Sequence, residues 1–169
     1  MIVVIAAMDP TGVIALDGKI PWHYREDFKR FKVLTMGCSV VMGLNTWISL
    51  PPKKLPGRFC IVLGWRLPDG VEQPDLLAGV NDLPTFLREQ DNHPEKPLYV
   101  IGGGEVYKAA LAGGVVDEVD LTLVPEVPPL HAGLVTRFPN DLLSGFTLTS
   151  EGTNPNDPRL THRRYRRAV

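Results

Sequence analysis

Apolar residues fall into short unbroken runs, separated by segments of helical length and mixed polarity. Ile2–Met8, Ser39–Gly43, Phe59–Leu63 and Leu98–Gly102 read as strands buried on both faces. Glu118–Val124 alternates instead, with Val119, Leu121 and Leu123 set against Asp120 and Thr122. Phe146–Ser150 and Leu160–Arg167 are the last strand candidates, antiparallel at one edge. Between these runs, Arg25–Thr35 follows a Pro-Trp turn and carries Phe28, Phe31 and Leu34 at helical spacing. Asn81-Asp82-Leu83-Pro84 is a helix start with proline just inside it, and Leu83, Phe86, Leu87 and Gln90 mark the inner face. Glu105–Ala112 follows three glycines and stops at Gly113-Gly114. The stretches around Pro68–Pro74 and Pro125–Pro139 read as loops. Strands alternating with helices predict an α/β sheet.

Composition adds turns and removes several classes. The 169 residues include 16 glycines and 16 prolines, which force turns without reaching the level of a low-complexity chain. With no repeat and no linker, one domain spanning residues 1–169 is expected. A net charge of -1 gives no global field for nucleic acid or an anionic membrane. Five arginines (Arg159, Arg163, Arg164, Arg166, Arg167) crowd the end of the chain, and the simplest reading is the solvated face of a terminal edge strand. Cys38 and Cys60 flank apolar runs without metal-ligand spacing, so they read as buried thiols in a reducing compartment. No metal site is expected. The apolar start lacks a basic leader and is too short to span a bilayer, which makes a cytoplasmic protein the expectation.

Three features carry candidate chemistry. Asp27 lies on the same helical stripe as Phe31 and Leu34, while Arg25, Lys29 and Lys32 lie on the other face. Either it complements the helix dipole from the first turn, or it is a carboxyl in an apolar pocket with raised proton affinity. Val100-Ile101-Gly102-Gly103-Gly104-Glu105-Val106-Tyr107 runs a buried strand through three glycines into a helix. This is a tight connection, or a place where a phosphate meets backbone N–H groups. Val41-Met42-Gly43-Leu44-Asn45-Thr46-Trp47 repeats that logic, and Leu55-Pro56-Gly57 then presents Arg58, as a surface charge or a carboxylate clamp.

Taken together, Pro21-Trp22 with Asp27 five residues on, Met42-Gly43-Asn45-Thr46-Trp47, Leu55-Pro56-Gly57-Arg58, Ile101–Tyr107 and Thr122 closely resemble the dihydrofolate reductase family. The match is collinear over nearly the whole chain, and aspartate at position 27 resembles the bacterial branch. The resemblance implies a three-layer α/β fold, with a mainly parallel central sheet, an antiparallel C-terminal strand and flanking helices. It implies reduction of 7,8-dihydrofolate to tetrahydrofolate by NADPH in a monomer, a step of one-carbon metabolism and an antifolate target. By motif match, Asp27 and Trp22 would be the catalytic residues, with Asp27 binding the pterin edge beside Thr122 and Trp22 anchoring the base of the lid. Ile5, Ala7, Phe28, Phe31, Ser49, Leu55 and Ile101 would wall the substrate, and Arg58 would grip its glutamate carboxylate. The cofactor would be held by Ala7, Ile14, Ile20, Gly43, Leu44, Asn45, Thr46, Leu63, Gly64, Trp65, Arg66, Ile101 and residues Gly102, Gly103, Gly104, Glu105, Val106 and Tyr107. Ile14–Ile20 resembles the mobile lid of the family, with Ile20 as its apolar contact.

The pattern departs from the family in three places. Leu44 stands where bacterial relatives commonly carry a basic residue, and Gly64-Trp65-Arg66 replaces a Ser-Ser or Ser-Arg pair. On this reading Arg66 meets the 2′-phosphate from one residue further on, and Trp65 stacks on adenine. His131-Ala132-Gly133-Leu134-Val135-Thr136-Arg137-Phe138-Pro139 lacks the acid that normally hydrogen-bonds the closed lid. The third departure is the Arg-rich last strand, for which the residues fix no alignment to the family's aromatic pattern. Two other readings are a folate- or nucleotide-binding module without turnover and the related pyrimidine reductase of riboflavin synthesis. The Pro-Trp-to-Asp spacing argues against the reductase, and the intact Asp27 and glycines argue against the module.

Overall fold

The computed structural model describes residues 1–52, 54–126 and 133–169. His131 and Ala132, named above, and the 127–130 part of the Pro125–Pro139 stretch lie outside the described residues. The elements run β1 (Ile2–Met8), β2 (Val13–Leu16), α1 (Arg25–Thr35), β3 (Ser39–Gly43), α2 (Leu44–Ser49), β4 (Phe59–Leu63), β5 (Leu76–Ala78), α3 (Leu83–Gln90), β6 (Leu98–Val100), α4 (Gly104–Ala112), β7 (Glu118–Leu123), β8 (Val135–Arg137), a 3-10 turn (Asn140–Gly145), β9 (Phe146–Asn154) and β10 (Asp157–Arg167).

Eight strands form one sheet in the order β5-β4-β3-β6-β1-β7-β10-β9. The first six pair in parallel, and β10 runs antiparallel to both β7 and β9. Strand alternation then sorts the core into two layers. Ile2, Val4 and Met8 of β1, with Val41 and Ile61, pack under α3 and α4 through Leu87, Tyr107, Ala110 and Leu111. Val3 and Ile5, with Val40, Met42, Cys60 and Val62, face α1 and α2 through Phe31, Leu34 and Trp47. The helices therefore cover both faces, as expected of parallel strands whose two sides are both apolar. α3 starts as the sequence predicts, with the Asp82 side chain accepting from Thr85 N at 3.2 Å and proline in its first turn.

Two expectations fail. The stretch Pro125–Pro139 contains β8, which pairs antiparallel with β2 as a separate two-stranded ribbon. Both strands are too short to show a period, and only their mutual pairing makes them strands. The arginine-rich strand is also not an edge, because β9 lies outside β10. Its arginines are partnered: Arg164 reaches Asp120 at 3.1 Å, Arg166 reaches Glu118 at 2.8 Å and Arg159 reaches Asp157 at 2.7 Å. Arg163 pairs with Glu151, and Arg167 donates to the Val116 carbonyl at 2.7 Å.

Candidate active site

The parallel strands deliver the candidate residues at their carboxyl ends, where an open α/β sheet places ligands. Ala7, one residue before the end of β1, lies directly opposite Thr122 of β7, while Ile5 lies opposite Asp120. The first turn of α1 supplies Asp27, the position at which a carboxylate complements the helix dipole. Asp27 is half-buried, and burial pushes its carboxyl above the usual carboxylate range. A hydrogen bond from the Thr122 side chain opposes that shift, as does the nearby Arg30 charge, while Asp120 reinforces it.

The neighbouring acid has the opposite environment. Asp120 is 1% exposed and clamped two-pronged by Arg30 at 2.6 and 2.8 Å, with Arg164 adding a third bond at 3.1 Å. Among the described residues, no cation lies within ion-pair distance of Asp27. Two carboxyls side by side are thus differentiated, one committed to arginines and one left free to exchange a proton.

Around Asp27 the apolar residues converge. Ile5, Phe31, Leu55 and Ile101 share one core cluster, and Trp22 packs with Tyr24, Val124, Leu160 and Ala7. Phe28 is 41% exposed, stacked obliquely on His23 at 4.9 Å, so the expected inward stripe of α1 is not sealed. A helix that lines an open cleft presents its apolar side in this half-covered way. Leu55 has φ 44 and Gly57 φ 77, and a Cβ on Gly57 would sit 2.5 Å from the Met36 sulfur. That turn delivers Arg58 over the Phe31 ring at 5.9 Å, with only 3.3 Å contacts to the Pro56 carbonyl and the Thr35 hydroxyl. Its guanidinium has no carboxylate partner among the described residues.

The glycine segments meet each other. Gly43 N donates to Gly102 O at 2.8 Å, and the Gly102–Gly103 peptide is cis. A Cβ on Gly43 would press Val106 at 3.3 Å, and one on Gly103 would meet the Thr46 hydroxyl at 3.5 Å. Gly104 has a second reason to be glycine, because a Cβ there would lie 2.6 Å from Thr136 of β8. α4 begins with no side-chain cap, which leaves its first N–H groups open. Leu44 and Leu63 are half-buried beside this junction, whereas Asn45 and Glu105 are exposed. Gly64 is tied to Ala78 O at 2.9 Å. Trp65, 73% exposed, lies flat over Gly79, and Arg66 is fully open, 3.9 Å from Asp69.

Some residues named from the sequence are engaged within the fold. Tyr107 is buried, donates its hydroxyl to Ile5 O at 2.8 Å and packs on Phe138, so it joins α4 to β1 directly behind Gly102. Ser49 spends its hydroxyl on Thr46 O at 2.7 Å. In the lid segment Ile14 is buried in the core under α4, and only the tip at 17–20 is exposed, with Ile20 53% accessible. The acid missing from the 131–139 stretch stands on the lid itself. Asp17 accepts from Leu134 N at 2.8 Å through its carboxylate, and its own N–H donates to Leu134 O at 2.8 Å. Arg30, Asp120, Asn154 and His162 escaped the sequence reading, although the alternation of β7 had already placed Asp120 beside Thr122. A cavity of about 420 Å³ at the amino ends of β3, β4 and β6 lies at the opposite end of the sheet and holds none of these groups.

Known proteins share this arrangement. The family described as dihydrofolate reductase matches residues 1–166. The dihydrofolate reductase of Mycobacterium leprae is 41% identical over 125 residues, covering 71% of this chain and 73% of the relative. The type 9 dihydrofolate reductase of Escherichia coli is 36% identical over 151 residues, covering 87% and 81%. Among solved structures, dihydrofolate reductase from Enterococcus faecalis, complexed with NADP(H) and RAB-propyl, superposes with a TM-score of 0.79 at 28% identity, covering 100% of this chain and 97% of that one. With sheet order, paired glycine segments and the Asp27–Thr122 contact all in place, the chain belongs to the dihydrofolate reductase family.

Proposed function

We propose that the Asp27 cleft carries out the activity of this family, the NADPH-dependent reduction of 7,8-dihydrofolate to 5,6,7,8-tetrahydrofolate. The observation that carries the assignment of roles is the differentiated acid pair, with Asp120 locked by arginines and Asp27 free and raised by burial. Asp27 receives the amide and 2-amino edge of the pterin, and its proton supply favours protonation at N5 through the ring and an ordered water. Thr122 holds the carboxyl in place. Ile5, Ala7, Phe28, Phe31 and Leu55 wall the ring and its aminobenzoyl arm and keep water out. Arg58, whose guanidinium burial pulls below its ordinary value, takes the glutamate carboxylate, a better partner than the long contacts it now makes.

The fit of the cofactor is read from the uncapped start of α4 and from Gly43, Gly102 and Gly103, where side chains would fill the space between the two turns. When bound, NADPH supplies the hydride that C6 of the pterin accepts. The α4 N-terminus and Thr46 hold its pyrophosphate. Arg66 is open and only loosely paired, so it is free to turn to the 2′-phosphate, and Trp65 offers its face to adenine. The protein works as a single-domain monomer in the cytoplasm, where its two free buried thiols stay reduced. No helix among the described residues is long and apolar enough to cross a membrane.

The test is NADPH oxidation with dihydrofolate, in the wild type and in Asp27→Asn. Turnover that collapses in the variant is expected, while tight cofactor binding without turnover in the wild type would overturn the assignment. A preference for NADH over NADPH would remove Arg66 from its role.

A further inference from the structure

A polar chain behind Asp27 has a direction, and the direction is fixed at its far end. Asn154, at the end of β9, accepts the backbone N–H groups of Asn156 at 2.9 Å and Asp157 at 3.2 Å with its Oδ1. Those two bonds hold the amide in one orientation, so its Nδ2 donor is what faces His162 Nε2 at 3.0 Å. Two donors cannot share that contact. Nε2 must be the bare nitrogen, and the single proton of the neutral ring lies on Nδ1, 3.0 Å from the Thr122 hydroxyl oxygen. Thr122 lies opposite His162 in the β7–β10 register, receives that N–H, and has one proton of its own to give. The acceptor within its reach is Asp27.

We propose that His162, oriented by Asn154, is a positioning residue for the acid: it commits the Thr122 proton to one Asp27 oxygen, so that any proton Asp27 carries sits on the other oxygen, toward the pocket. The inference rests on the assignment of Asp27 as the acid of the site. A hydroxyl without His162 is free to accept from a protonated Asp27, which turns the acid's proton away from the substrate.

The surroundings keep the ring neutral. The charges acting on it are Arg30 of α1 and Asp120 of β7, which pair with each other, while Arg164, two residues on along β10, also reaches Asp120 and Asp27 lies beyond Thr122. Burial first, then Arg30, pull His162 below its ordinary value, with Asp120 opposing. An imidazolium would also drive an Nε2–H against the fixed amide of Asn154.

Two measurements test the proposal. In full-length protein labelled with ¹⁵N-histidine, the imidazole resonances of His162, identified by their loss in His162→Gln, should report the Nδ1–H tautomer. An Nε2–H tautomer overturns the proposal without any variant having to retain activity. In pH profiles of kcat/KM, His162→Phe removes the donor to Thr122. The plateau should fall by roughly three- to tenfold, as for one lost hydrogen bond to an ionisable group. Its midpoint should rise by about half a unit or more, because ionised Asp27 loses a committed donor. His162→Gln, whose amide N–H can replace Nδ1–H, should bring the midpoint back. A role in packing alone lowers the plateau and leaves the midpoint still, which sinks the proposal. Asp27→Asn, run in the same buffers, separates the two levels. If it keeps the wild-type midpoint, the acid assignment fails and this inference with it. If it abolishes the midpoint while His162→Phe leaves it unmoved, only the role of His162 fails.

Discussion

Strand β7 buries both of its sides, and the two sides do so by different physics. Val119 and Leu121 enter the layer under α3 and α4, where they are fully buried among aliphatic neighbours. Glu118, Asp120 and Thr122 point the other way and are just as inaccessible, but they meet Arg166, Arg164 and His162 on β10 and Arg30 on α1. The first side gains about 25 cal/mol for each Å² of apolar surface removed from water and needs no particular partner. The second gains little from burial itself and is sound only while every charge has its counterpart. Among the described residues, the two carboxylates of β7 on that side, Glu118 and Asp120, are both paired with arginines. Among the described residues, Asp27 is a carboxyl beside this side with no cation at ion-pair distance, and that is where the chemistry is assigned.

The strongest way to separate the two sides is to change one residue on each. Asp27→Asn should cut kcat/KM by about 10²–10⁴, the usual worth of a positioned acid, while the protein still folds. Leu121→Ala should cost about 2–5 kcal/mol of stability through lost burial and a cavity, with little loss of turnover per folded molecule. Chemical denaturation and steady-state kinetics on both variants read the contrast directly. A Leu121→Ala protein that stays folded but loses turnover as Asp27→Asn does would mean that the sides are not separable.

Asp120→Asn tests the polar side by itself. Removing the charge strands Arg30 and Arg164, and a broken sealed pair costs about 3–5 kcal/mol. Both arginines retain some solvent, which brings the expected loss to about 2 kcal/mol. The activity profile should move as well. Asp120 helps to raise Asp27, so its loss should shift the midpoint of the pH profile downward, opposite to the shift in His162→Phe. Stability that falls while the midpoint stays would show that the two acids do not sense each other.

The apolar side was legible in the sequence and the polar side largely was not, for a physical reason. Runs such as Ile2–Met8 and Phe59–Leu63 announce strands because burial on both faces leaves no room for polar residues, and their limits match the structure. The helix Arg25–Thr35 and the cap at Asp82 are local signals, and both are found where expected. Asp27 stood out because it broke an apolar stripe. Nothing local distinguishes Arg164 on β10 from a solvated charge, since what buries its partner is a strand 44 residues away. The same holds for β2 and β8, which exist only as a pair. His162 looked like one more polar residue in a basic strand until the register set it opposite Thr122.

An effect of opposite sign is expected when the strain at Asp27 is relieved. Burial raises its folded-state proton affinity above the ordinary aspartate range, so over an interval of pH the folded chain holds a proton that the unfolded chain has already released. Stability contributed by this group is therefore present at low pH and is lost as pH rises from the unfolded value through the folded one. Asp27→Asn should accordingly melt higher than the wild type at pH 7, and the advantage should vanish once pH falls below the unfolded carboxylate range. Scanning calorimetry at pH 7 and at low pH decides it. A variant that melts lower than the wild type at pH 7 would leave burial of Asp27 without its expected cost.

The smallest expected effect concerns the β2–β8 ribbon, which is rooted in the apolar layer through Ile14 and Phe138. Asp17 ties the tip of that ribbon to Leu134, and a Cβ on Gly133 would lie 2.8 Å from the Asp17 carboxylate, so the contact has been kept clear. Asp17→Ala removes the acceptor of the Leu134 N–H and loosens the tip by about 1 kcal/mol. A rise of a few-fold in KM for NADPH and faster proteolysis within 17–20 should follow, with the unfolding transition little changed. The backbone at Asp17 has φ 51, a left-handed conformation that asparagine adopts more readily than alanine. Asp17→Asn keeps both that tolerance and an acceptor oxygen, so it should fall between wild type and alanine. If asparagine matches wild type on proteolysis while alanine matches it on KM, the tip does not control cofactor access.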